Sequence, residues 1–294
     1  MNGVREVAVI SGKGGTGKTT ITASLAMLMR EGVVVDADVD APNLHILLQP
    51  HVEEEHRFMG GFVAEINPDL CESCGRCHEL CRFGAIVPPK GEGAYQVDPV
   101  ACDGCGLCQL ACPTEAVRMV QKEVGWWYRS NTERGPFFHA LLRPGEDNSG
   151  KLVTQIRTAA QEFAKEKGLK RILVDGPPGI GCPVISSLTG VDAALVVVEP
   201  TPSGVHDARR VVELTNSFNL ELYLLVNRFD INEQIAEEIE YWAKEQGIGL
   251  AGRIPLDPRI PQLLSEGKTP LEAGGEVRAT LEGLYQKLFD QKGR

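Results

Sequence analysis

Short apolar runs alternate with longer amphipathic stretches along most of the chain. The short runs are rich in Val, Ile and Leu, which indicates strands buried on both faces. They occupy residues 4–10, 33–35, 171–174, 193–199 and 223–226. The longer stretches are typical of helices, and they occupy residues 21–29, 152–167, 204–217, 232–246 and 276–289. Strands that alternate with helices predict an α/β fold with a doubly wound, mainly parallel sheet.

A cysteine-rich stretch interrupts this alternation after the second predicted strand. We predict that residues 63–122 form a small inserted α+β domain. Residues 1–62 and 123–294 then form the two parts of one larger domain. At 294 residues the chain is long enough for both.

Polar and aromatic residues flank the predicted insert on its two sides. An acidic run at residues 53–55, with His51 and His56, precedes it. We predict a solvated linker there, and a metal site is the alternative. Two tryptophans and a tyrosine follow at residues 126–128. We expect their rings to pack the insert against the larger domain, and a docking patch for a partner is the alternative.

Eight of the nine cysteines form two blocks with identical internal spacing, 31 residues apart. A 4Fe–4S cluster needs four thiolates, and in two-cluster ferredoxins the fourth cysteine of each run ligates the other cluster. The spacing therefore predicts two clusters with crossed ligation. The two predicted ligand sets are Cys71, Cys74, Cys77 and Cys112, and Cys102, Cys105, Cys108 and Cys81. A zinc site or a disulfide framework is the alternative, but neither requires a repeated third and fourth cysteine.

Residues 63–122 resemble bacterial-type ferredoxins along their whole length. The resemblance implies an electron-transfer module with two 4Fe–4S clusters. One departure is visible, because Pro113 follows the last cysteine of the second block whereas Arg82 follows that of the first. A cation there is expected to raise the potential of the nearby cluster by stabilising its reduced form.

A glycine-rich loop follows the first predicted strand and precedes the first predicted helix, which is the context of a P-loop. Glycines let backbone N–H groups converge on phosphate oxygens, and the helix N-terminus favours an anion. Lys18 is predicted to reach the β- and γ-phosphates of ATP, and the Thr19 hydroxyl to ligate Mg²⁺. The predicted phosphate-binding residues are Gly12, Lys13, Gly14, Gly15, Thr16, Gly17, Lys18, Thr19 and Thr20.

With its additional Lys13, this loop resembles the deviant Walker A loop of the MinD/ParA/Mrp superfamily of ATPases. The resemblance implies a dimer, formed with a second copy or with a related ATPase. It also implies that Lys13 crosses to the partner's nucleotide and stabilises the transferred phosphoryl group, as an arginine finger would. Lys13, Lys18 and Asp38 are the catalytic residues that this resemblance implies.

Further positions resemble the superfamily in the same order along the chain. Asp36 and Asp38 end the second predicted strand, where the resemblance implies support of the Mg²⁺ shell by Asp36 and orientation of the attacking water by Asp38. Asp175 resembles the Walker B aspartate and would hold Mg²⁺ through water. Asn227 and Arg228 resemble the pair that reads adenine. The late loop at residues 252–257, which includes Pro255, resembles the loop that closes over the base.

The net charge, the apolar runs and the cysteines indicate which partners and which cellular location to expect. The formal net charge of −10 argues against nucleic acid as a partner. We expect no transmembrane helix, and hence no stable membrane insertion, because no apolar run approaches the necessary length. We also expect no signal peptide, because the sequence begins with a predicted strand. Thiolates committed to clusters fit a cytoplasmic location. MinD ends in a membrane-targeting helix, but the acidic residues near the apolar stripe at 281–289 favour packing against the body here.

Cys182 is the ninth cysteine and lies seven residues after Asp175. The nitrogenase iron protein, a relative in the superfamily, has a cluster-ligating cysteine at a similar offset from its Walker B aspartate. No second cysteine is left over to complete such a bridge within this chain. A small loop or buried cysteine is therefore the favoured interpretation.

Three functions are compatible with these motifs. In the first, ATP-driven dimer closure gates electron transfer through two clusters to a redox partner. In the second, the chain is an ATPase of Mrp type that carries or assembles iron–sulfur clusters for an acceptor protein; in all three, we expect ATP hydrolysis to be slow and partner-stimulated. In the third, it is a spatial organiser like MinD or ParA with a redox-sensing module. The ferredoxin spacing is typical of stably held clusters, which suits electron transfer better than cluster donation and gives a pure organiser no role for them. We therefore favour a redox or cluster-related function, and the choice between the first two stays open.

Overall fold

The structure is a computed structural model that describes residues 3–146 and 149–290. The described residues form eleven strands: β1 Arg5–Ser11, β2 Gly32–Asp36, β3 His51–Ile66, β4 Ile86–Val87, β5 Gln96–Val97, β6 Val117–Thr132, β7 Gly135–Leu142, β8 Arg171–Pro178, β9 Ala193–Val198, β10 Glu221–Asn227 and β11 Gly249–Ile254. They also form ten α-helices: α1 Lys18–Leu28, α2 Leu44–Leu48, α3 Arg76–Leu80, α4 Leu107–Ala111, α5 Ser149–Lys167, α6 Cys182–Leu188, α7 Pro202–Thr215, α8 Glu233–Glu245, α9 Ile260–Ser265 and α10 Gly275–Phe289. Short 3₁₀ helices occupy Phe229–Ile231 and Pro270–Ala273.

The chain divides into two compact units. The larger unit comprises residues 1–56, 126–141 and 149–294, and the cysteine unit comprises residues 57–125 and 142–148. The cysteine unit encloses the segment that the sequence predicts as an insert. Strands β3 and β6 each have residues in both units.

The main sheet has the strand order β11-β10-β9-β1-β8-β2-β7-β6-β3. Neighbouring strands from β11 to β7 pair in parallel, as the alternation of strands and helices predicts. Because the strands are parallel, their carboxyl ends meet at one edge of the sheet. Ser11, Asp36, Asp175 and Asn227 therefore lie at or near that edge.

The predicted strands and helices of the larger unit are present, with ends shifted by at most four residues. One prediction is wrong: residues 51–56 are the start of strand β3 and not a linker. Glu53 and Glu54 stay exposed there, and both pair with Arg129 on β6, with 2.7 Å from Arg129 to Glu54. Charge at this position reflects the solvent-facing side of a strand, which composition alone does not distinguish from a loop. Residues 252–254, predicted as part of a loop, likewise belong to strand β11.

The main hydrophobic core lies in the larger unit, between the central strands and helices α1 and α10. Leu281, Leu284 and Leu288 of α10 are fully buried in it. The apolar stripe near the C-terminus therefore packs against the body, as the sequence predicts. Among the helices of residues 3–146 and 149–290, none has the length and apolar composition of a membrane span.

The cysteine unit repeats its backbone as well as its sequence. Helices α3 and α4 are each preceded by a left-handed glycine, Gly75 with φ 79° and Gly106 with φ 76°. The two halves also exchange equivalent hydrogen bonds. Asn67 N–H donates to Ala116 O at 2.8 Å, and Asp98 N–H donates to Ala85 O at 2.7 Å. Since 67 and 98, and 85 and 116, are both 31 residues apart, the two halves face each other about an approximate twofold axis.

Candidate functional site

The glycine-rich loop connects β1 to α1 in a conformation that depends on glycine. Gly17 has φ 90°, and a Cβ atom there would lie 2.4 Å from Asn227 Nδ2. Asn227 Nδ2 donates to Thr16 O at 2.8 Å, so the predicted base-reading residue also braces the loop. Gly12 packs against the backbone of Asp207, whereas a Cβ at Gly14 or Gly15 would meet nothing within 4 Å. Part of the loop is thus fixed by packing, and part is open to a ligand.

Lys18 and Thr19, at the start of α1, converge on Asp175. Lys18 Nζ lies 3.0 Å from Asp175 Oδ1, and Thr19 Oγ1 donates to Asp175 Oδ2 at 2.7 Å. A third donor is Thr22, whose Oγ1 lies 2.8 Å from Asp175 Oδ1 and which the sequence analysis did not single out. Lys18 and Asp175 are both buried. The structure therefore brings together the residues predicted to bind phosphate and Mg²⁺.

Asp36 is the second buried carboxylate, and it lies beside Asp175 at the end of β2. It is fully buried, and its register partner on the neighbouring strand β8 is Asp175. Burial first, and then the negative charge of Asp175, raise the pKa of Asp36 to about 8. The backbone N–H groups of Asp38 and Leu44 donate to its carboxylate, each at 3.1 Å. Burial also raises the pKa of Asp38.

Two neighbouring buried carboxylates, with a hydroxyl beside them, fit a divalent cation. Oxygen ligands are what Mg²⁺ prefers. A nearby cation would also favour the ionised form of Asp36, which burial disfavours. The set Thr19, Asp36 and Asp175 is consistent with the predicted Mg²⁺ site, and Asp38 lies two residues beyond it.

Lys13 contacts residues that the sequence analysis missed. Its Nζ lies 3.1 Å from Ser203 Oγ, 3.3 Å from Thr201 Oγ1 and 3.8 Å from Glu199 Oε2. Glu199 also forms an ion pair with Arg228, whose guanidinium lies 3.4 Å from Gly15 O. The sequence offers one sign that Glu199 belongs to the site. It directly follows strand β9, at the carboxyl edge of the sheet.

An apolar cavity of about 140 Å³ lies beside the glycine-rich loop. Thr20, Asn227, Arg228 and Pro255, all predicted to bind nucleotide, line it. Ile254 and Leu256, from the late loop predicted to close over the base, line it too. Much of the remaining lining comes from residues that the sequence did not predict: Ile21, Ile260, Pro261 and Leu264. Helix α9 supplies three of these, and no motif marks it. A narrow apolar cavity with a carboxamide at its wall suits a planar heterocycle.

The cysteine unit contains two cavities, and each is lined by four of the eight cysteines of the two blocks. One, of about 210 Å³, is lined by Cys81 together with Cys102, Cys105 and Cys108. The other, of about 20 Å³, is lined by Cys112 together with Cys71, Cys74 and Cys77. Each cavity thus takes three cysteines from one block and the fourth from the other block. This is the crossed grouping that the spacing predicts.

The environments of the thiols repeat between the halves. Burial raises the pKa of Cys77 and of Cys108, which occupy equivalent positions 31 residues apart. Burial also acts on Cys112, but hydrogen bonds from Thr114 and from backbone N–H groups, including Ala116 at 3.3 Å, lower its pKa overall. Such donors to sulfur stabilise a thiolate.

These residues fit the predicted clusters in ligand type, number and grouping. Four thiols face each cavity, and left-handed glycines open the turns around them. Within the part of the chain that the structure describes, no three His, Cys, Asp or Glu side chains are arranged around the position of a single metal ion. Cys182 is exposed at the start of α6 and lines neither cavity.

The aromatic residues after the predicted insert lie in β6. The ring of Trp127 stacks on His56 with centroids 4.0 Å apart, and on Phe138 at 6.5 Å. Tyr128 stacks on His139 at 5.0 Å. These contacts all lie within the larger unit, so the predicted packing against the insert stays a prediction.

Comparisons with known proteins complete the description of the site. Residues 7–271 match the sequence profile of the CobQ/CobB/MinD/ParA nucleotide binding domain. An uncharacterized protein of Methanocaldococcus jannaschii is 35% identical over 288 residues, which are 97% of this chain and 96% of that protein. The iron-sulfur cluster carrier protein of Pyrococcus abyssi is 24% identical over 98% of this chain and 88% of its own length. The septum site-determining protein MinD of Pyrococcus horikoshii, solved with Mg-ADP, is 18% identical with a TM-score of 0.55, over 98% of this chain and 96% of that one. At this identity the structural match shows the fold alone.

Proposed function

Because the chain belongs to the CobQ/CobB/MinD/ParA family of nucleotide-binding domains, we propose that it binds and slowly hydrolyses ATP with Mg²⁺, and that this cycle gates electron transfer through two 4Fe–4S clusters to a partner protein. The observation that carries the proposal is the sorting of eight cysteines into two mixed sets of four. A protein that only binds and hydrolyses ATP does not require two such sets of cysteines.

The larger unit supplies the groups for phosphoryl transfer. Lys18 exchanges its partner Asp175 for the β- and γ-phosphates, and the open backbone at Gly14 and Gly15 donates to phosphate oxygens. Thr19, Asp36 and Asp175 would hold Mg²⁺, which when bound neutralises charge on those oxygens. Asp38 orients the attacking water. The apolar cavity that Asn227, Arg228 and Pro255 line accepts adenine.

Lys13 is proposed to act on the partner subunit's nucleotide after the dimer closes. Such a cation stabilises charge that develops on the transferred phosphoryl group. Lys13→Ala should leave ATP binding within about twofold of the parent and lower the turnover by about 100-fold or more. Equal turnover in parent and variant would refute this role. The dimer can form with a second copy or with a related ATPase.

The cysteine unit is proposed to hold one-electron carriers. When bound, the two clusters would supply stable redox centres, and the chain's own residues orient them through four thiolates each. Hydrogen bonds such as Ala116 N–H to Cys112 Sγ favour the reduced, more negative state of a centre. Arg82, which lines the cavity of Cys81, acts in the same direction.

Crossed ligation has a direct test with a matched control. Anaerobically reconstituted protein should hold about eight iron atoms per chain. Cys112→Ala should damage the centre of Cys71, Cys74 and Cys77 and spare the other, whereas Cys81→Ala should do the reverse. Iron and sulfide analysis with EPR spectroscopy of both variants makes the comparison. Zinc in place of iron, or identical spectra from the two variants, would refute the assignment.

Gating has its own test. If nucleotide binding repositions the cysteine unit, the clusters should differ between the ATP-analogue and ADP states by tens of millivolts in potential, since a typical coupling of about 1–3 kcal/mol is tens of millivolts or more for one electron. A redox titration monitored by EPR in both states measures this shift. Identical potentials, together with identical electron-transfer rates, would leave the clusters without a link to ATP.

Carriage of clusters is the second candidate function. The similarity to an iron-sulfur cluster carrier protein favours it, although at 24% identity. A carrier should lose iron to an apo-acceptor protein when ATP is added, and a redox protein should keep its iron through many turnovers. Retention of the full iron content during ATP hydrolysis would therefore support electron transfer over carriage.

A further inference from the structure

The two halves of the cysteine unit differ on their surfaces, although their backbones repeat. Val100 and Leu110, in the second half, are the most exposed large apolar side chains described, at 87% and 86%. The equivalent positions in the first half, 31 residues earlier, are Asp69 and Glu79. One half therefore presents aliphatic groups where the other presents carboxylates.

A third exposed aliphatic residue of the second half lines the larger cysteine cavity. Leu107, equivalent to Arg76 of the first half, is exposed and lines that cavity with Cys102, Cys105 and Cys108. Val100 is two residues before Cys102, in a turn fixed by hydrogen bonds from the N–H groups of Val100 and Ala101 to Asp98 Oδ1, at 2.9 and 3.4 Å. We call Val100, Leu107 and Leu110 the aliphatic patch.

The sequence segment that carries the aliphatic patch is acidic as far as Arg118, which pairs with Glu65 at 2.7 Å. Between residues 98 and 117 the sequence has three acidic residues, Asp98, Asp103 and Glu115, and no Lys or Arg. Lys122 reaches Pro99 O at 2.9 Å, but it is paired with Glu146 at 2.7 Å. Arg82 is the cation that lines the same cavity. The equivalent stretch of the first half, residues 67–86, has three acidic residues and also Arg76 and Arg82.

We infer that the aliphatic patch is the docking surface for the redox partner. The inference rests on the proposed function and identifies the centre of Cys81, Cys102, Cys105 and Cys108 as the one that exchanges electrons with it. The partner is a one-electron carrier whose cofactor lies beneath an apolar surface ringed by Lys or Arg. The transfer moves one electron from a centre held by this chain to the partner's cofactor, with no bond made or broken.

Physical properties of transient redox complexes support this occupant. A small apolar contact excludes water without holding the partner tightly, which suits an encounter of short duration. Acidic groups around it attract a basic partner and raise its association rate. A second copy of this acidic chain would be repelled by the same charges.

Cytochrome c, a basic haem protein, serves as the probe. Holoprotein with its clusters is reduced, freed of reductant, and mixed with oxidised cytochrome c in a stopped-flow instrument. The double variant V100T/L110Q removes aliphatic surface without changing charge. Its matched control is L70Q/V87T, which makes the same kinds of change at less exposed positions of the same unit. Hexaammineruthenium(III), a small acceptor that needs no apolar contact, is the second probe.

The second-order rate with cytochrome c should fall about tenfold in V100T/L110Q, since loss of a central apolar contact is typically worth tenfold or more. It should stay within about twofold in L70Q/V87T, and both variants should reduce hexaammineruthenium(III) at the parent rate. The parent rate with cytochrome c should also fall as ionic strength rises.

Other outcomes overturn the inference. An unchanged rate in V100T/L110Q, or an equal fall in the control variant, shows that the aliphatic patch does not dock the probe. A fall with both acceptors shows an effect on the cluster itself. Loss of a parent dimer in V100T/L110Q, seen by sedimentation, assigns the patch to a second copy. Iron and sulfide analysis separates these results from failure of the proposed function, in which the parent holds no clusters.

Discussion

The glycine-rich loop at residues 11–20 and the cysteine unit prepare their candidate chemistry in opposite ways. In the loop, Lys18 already pairs with Asp175, and the Thr16 carbonyl already accepts from Asn227 on β10. In the cysteine unit, burial raises the pKa of the Cys77 and Cys108 thiols. Several contacts of the first site are therefore already made by the fold, whereas the second site would be completed only by the clusters that we propose.

The hydrophobic core explains this difference. Every residue of the main core cluster lies in the larger unit. The buried apolar side chains of the cysteine unit are few and mostly small; apart from Cys77 they are Phe58, Ala64, Ala85, Ile86, Ala116, Val117, Val124 and Leu142. A unit of this size with so little apolar burial typically needs metal ligation for stability.

The largest expected effect comes from removing iron. Chelation under reducing conditions should unfold the cysteine unit, because ligation free energy is then folding free energy. The larger unit should stay folded and keep its nucleotide affinity. Limited proteolysis of the holo and iron-free protein tests this, with cuts expected within residues 57–125. If the iron-free protein resists cleavage there, the cysteine unit is stable without metal, and the two units do not differ in this respect.

Lys18→Ala should abolish ATP binding, with a loss of about 100-fold or more, because the buried cation that we propose to contact phosphate is lost. Thr22→Val is the matched control, since it removes a neutral donor to Asp175 at 2.8 Å and keeps the side-chain shape. That change should cost no more than about tenfold. Calorimetry with a non-hydrolysable ATP analogue measures both. Equal losses would mean that Lys18 acts only by supporting Asp175.

His139 gives the larger unit a specific sensitivity to acid. Burial, with the nearby His45, lowers the pKa of His139 to about 4. Between pH 6.5 and 4 the unfolded chain therefore binds more protons than the folded one, so this contribution to stability is present above pH 6.5 and is lost as the pH falls. The loss is at most about 3 kcal/mol.

The control is His139→Gln, which keeps a polar partner for Ser130 Oγ, now 3.0 Å from His139 Nε2. Denaturant unfolding of both proteins at pH 7 and pH 4.5 makes the measurement. The variant should lose less stability than the parent on acidification. The same pH dependence in both proteins would show that other groups control acid unfolding.

The smallest effect is expected from a surface ion pair of the cysteine unit. Arg118 lies 2.7 Å from Glu65, but the two side chains are 73% and 50% exposed. Glu65→Gln should change the stability of the holoprotein by less than about 0.5 kcal/mol, because water screens such pairs. Thermal unfolding of parent and variant tests this. A larger loss would mean that ion pairs contribute more to this unit than the metal hypothesis assumes.

The sequence by itself was sufficient for the parallel sheet, the position of the glycine-rich loop and the cysteine repeat. These features depend on local patterns. Alternating buried strands, a glycine loop between strand and helix, and cysteines at fixed spacing each restrict the backbone directly. The same locality explains the error at residues 51–56, because an exposed charged strand such as the start of β3 has no apolar period to reveal it.

Only the tertiary structure decided which distant residues meet. Glu199 and Ser203 come to Lys13, and helix α9 comes to the apolar cavity, because parallel strands bring their carboxyl ends to one edge of the sheet. The exposure of Val100 and Leu110 was equally hidden, since an aliphatic residue in a sequence gives no sign of whether a neighbour will cover it. Long-range contacts depend on how elements pack, and packing is a property of the whole fold.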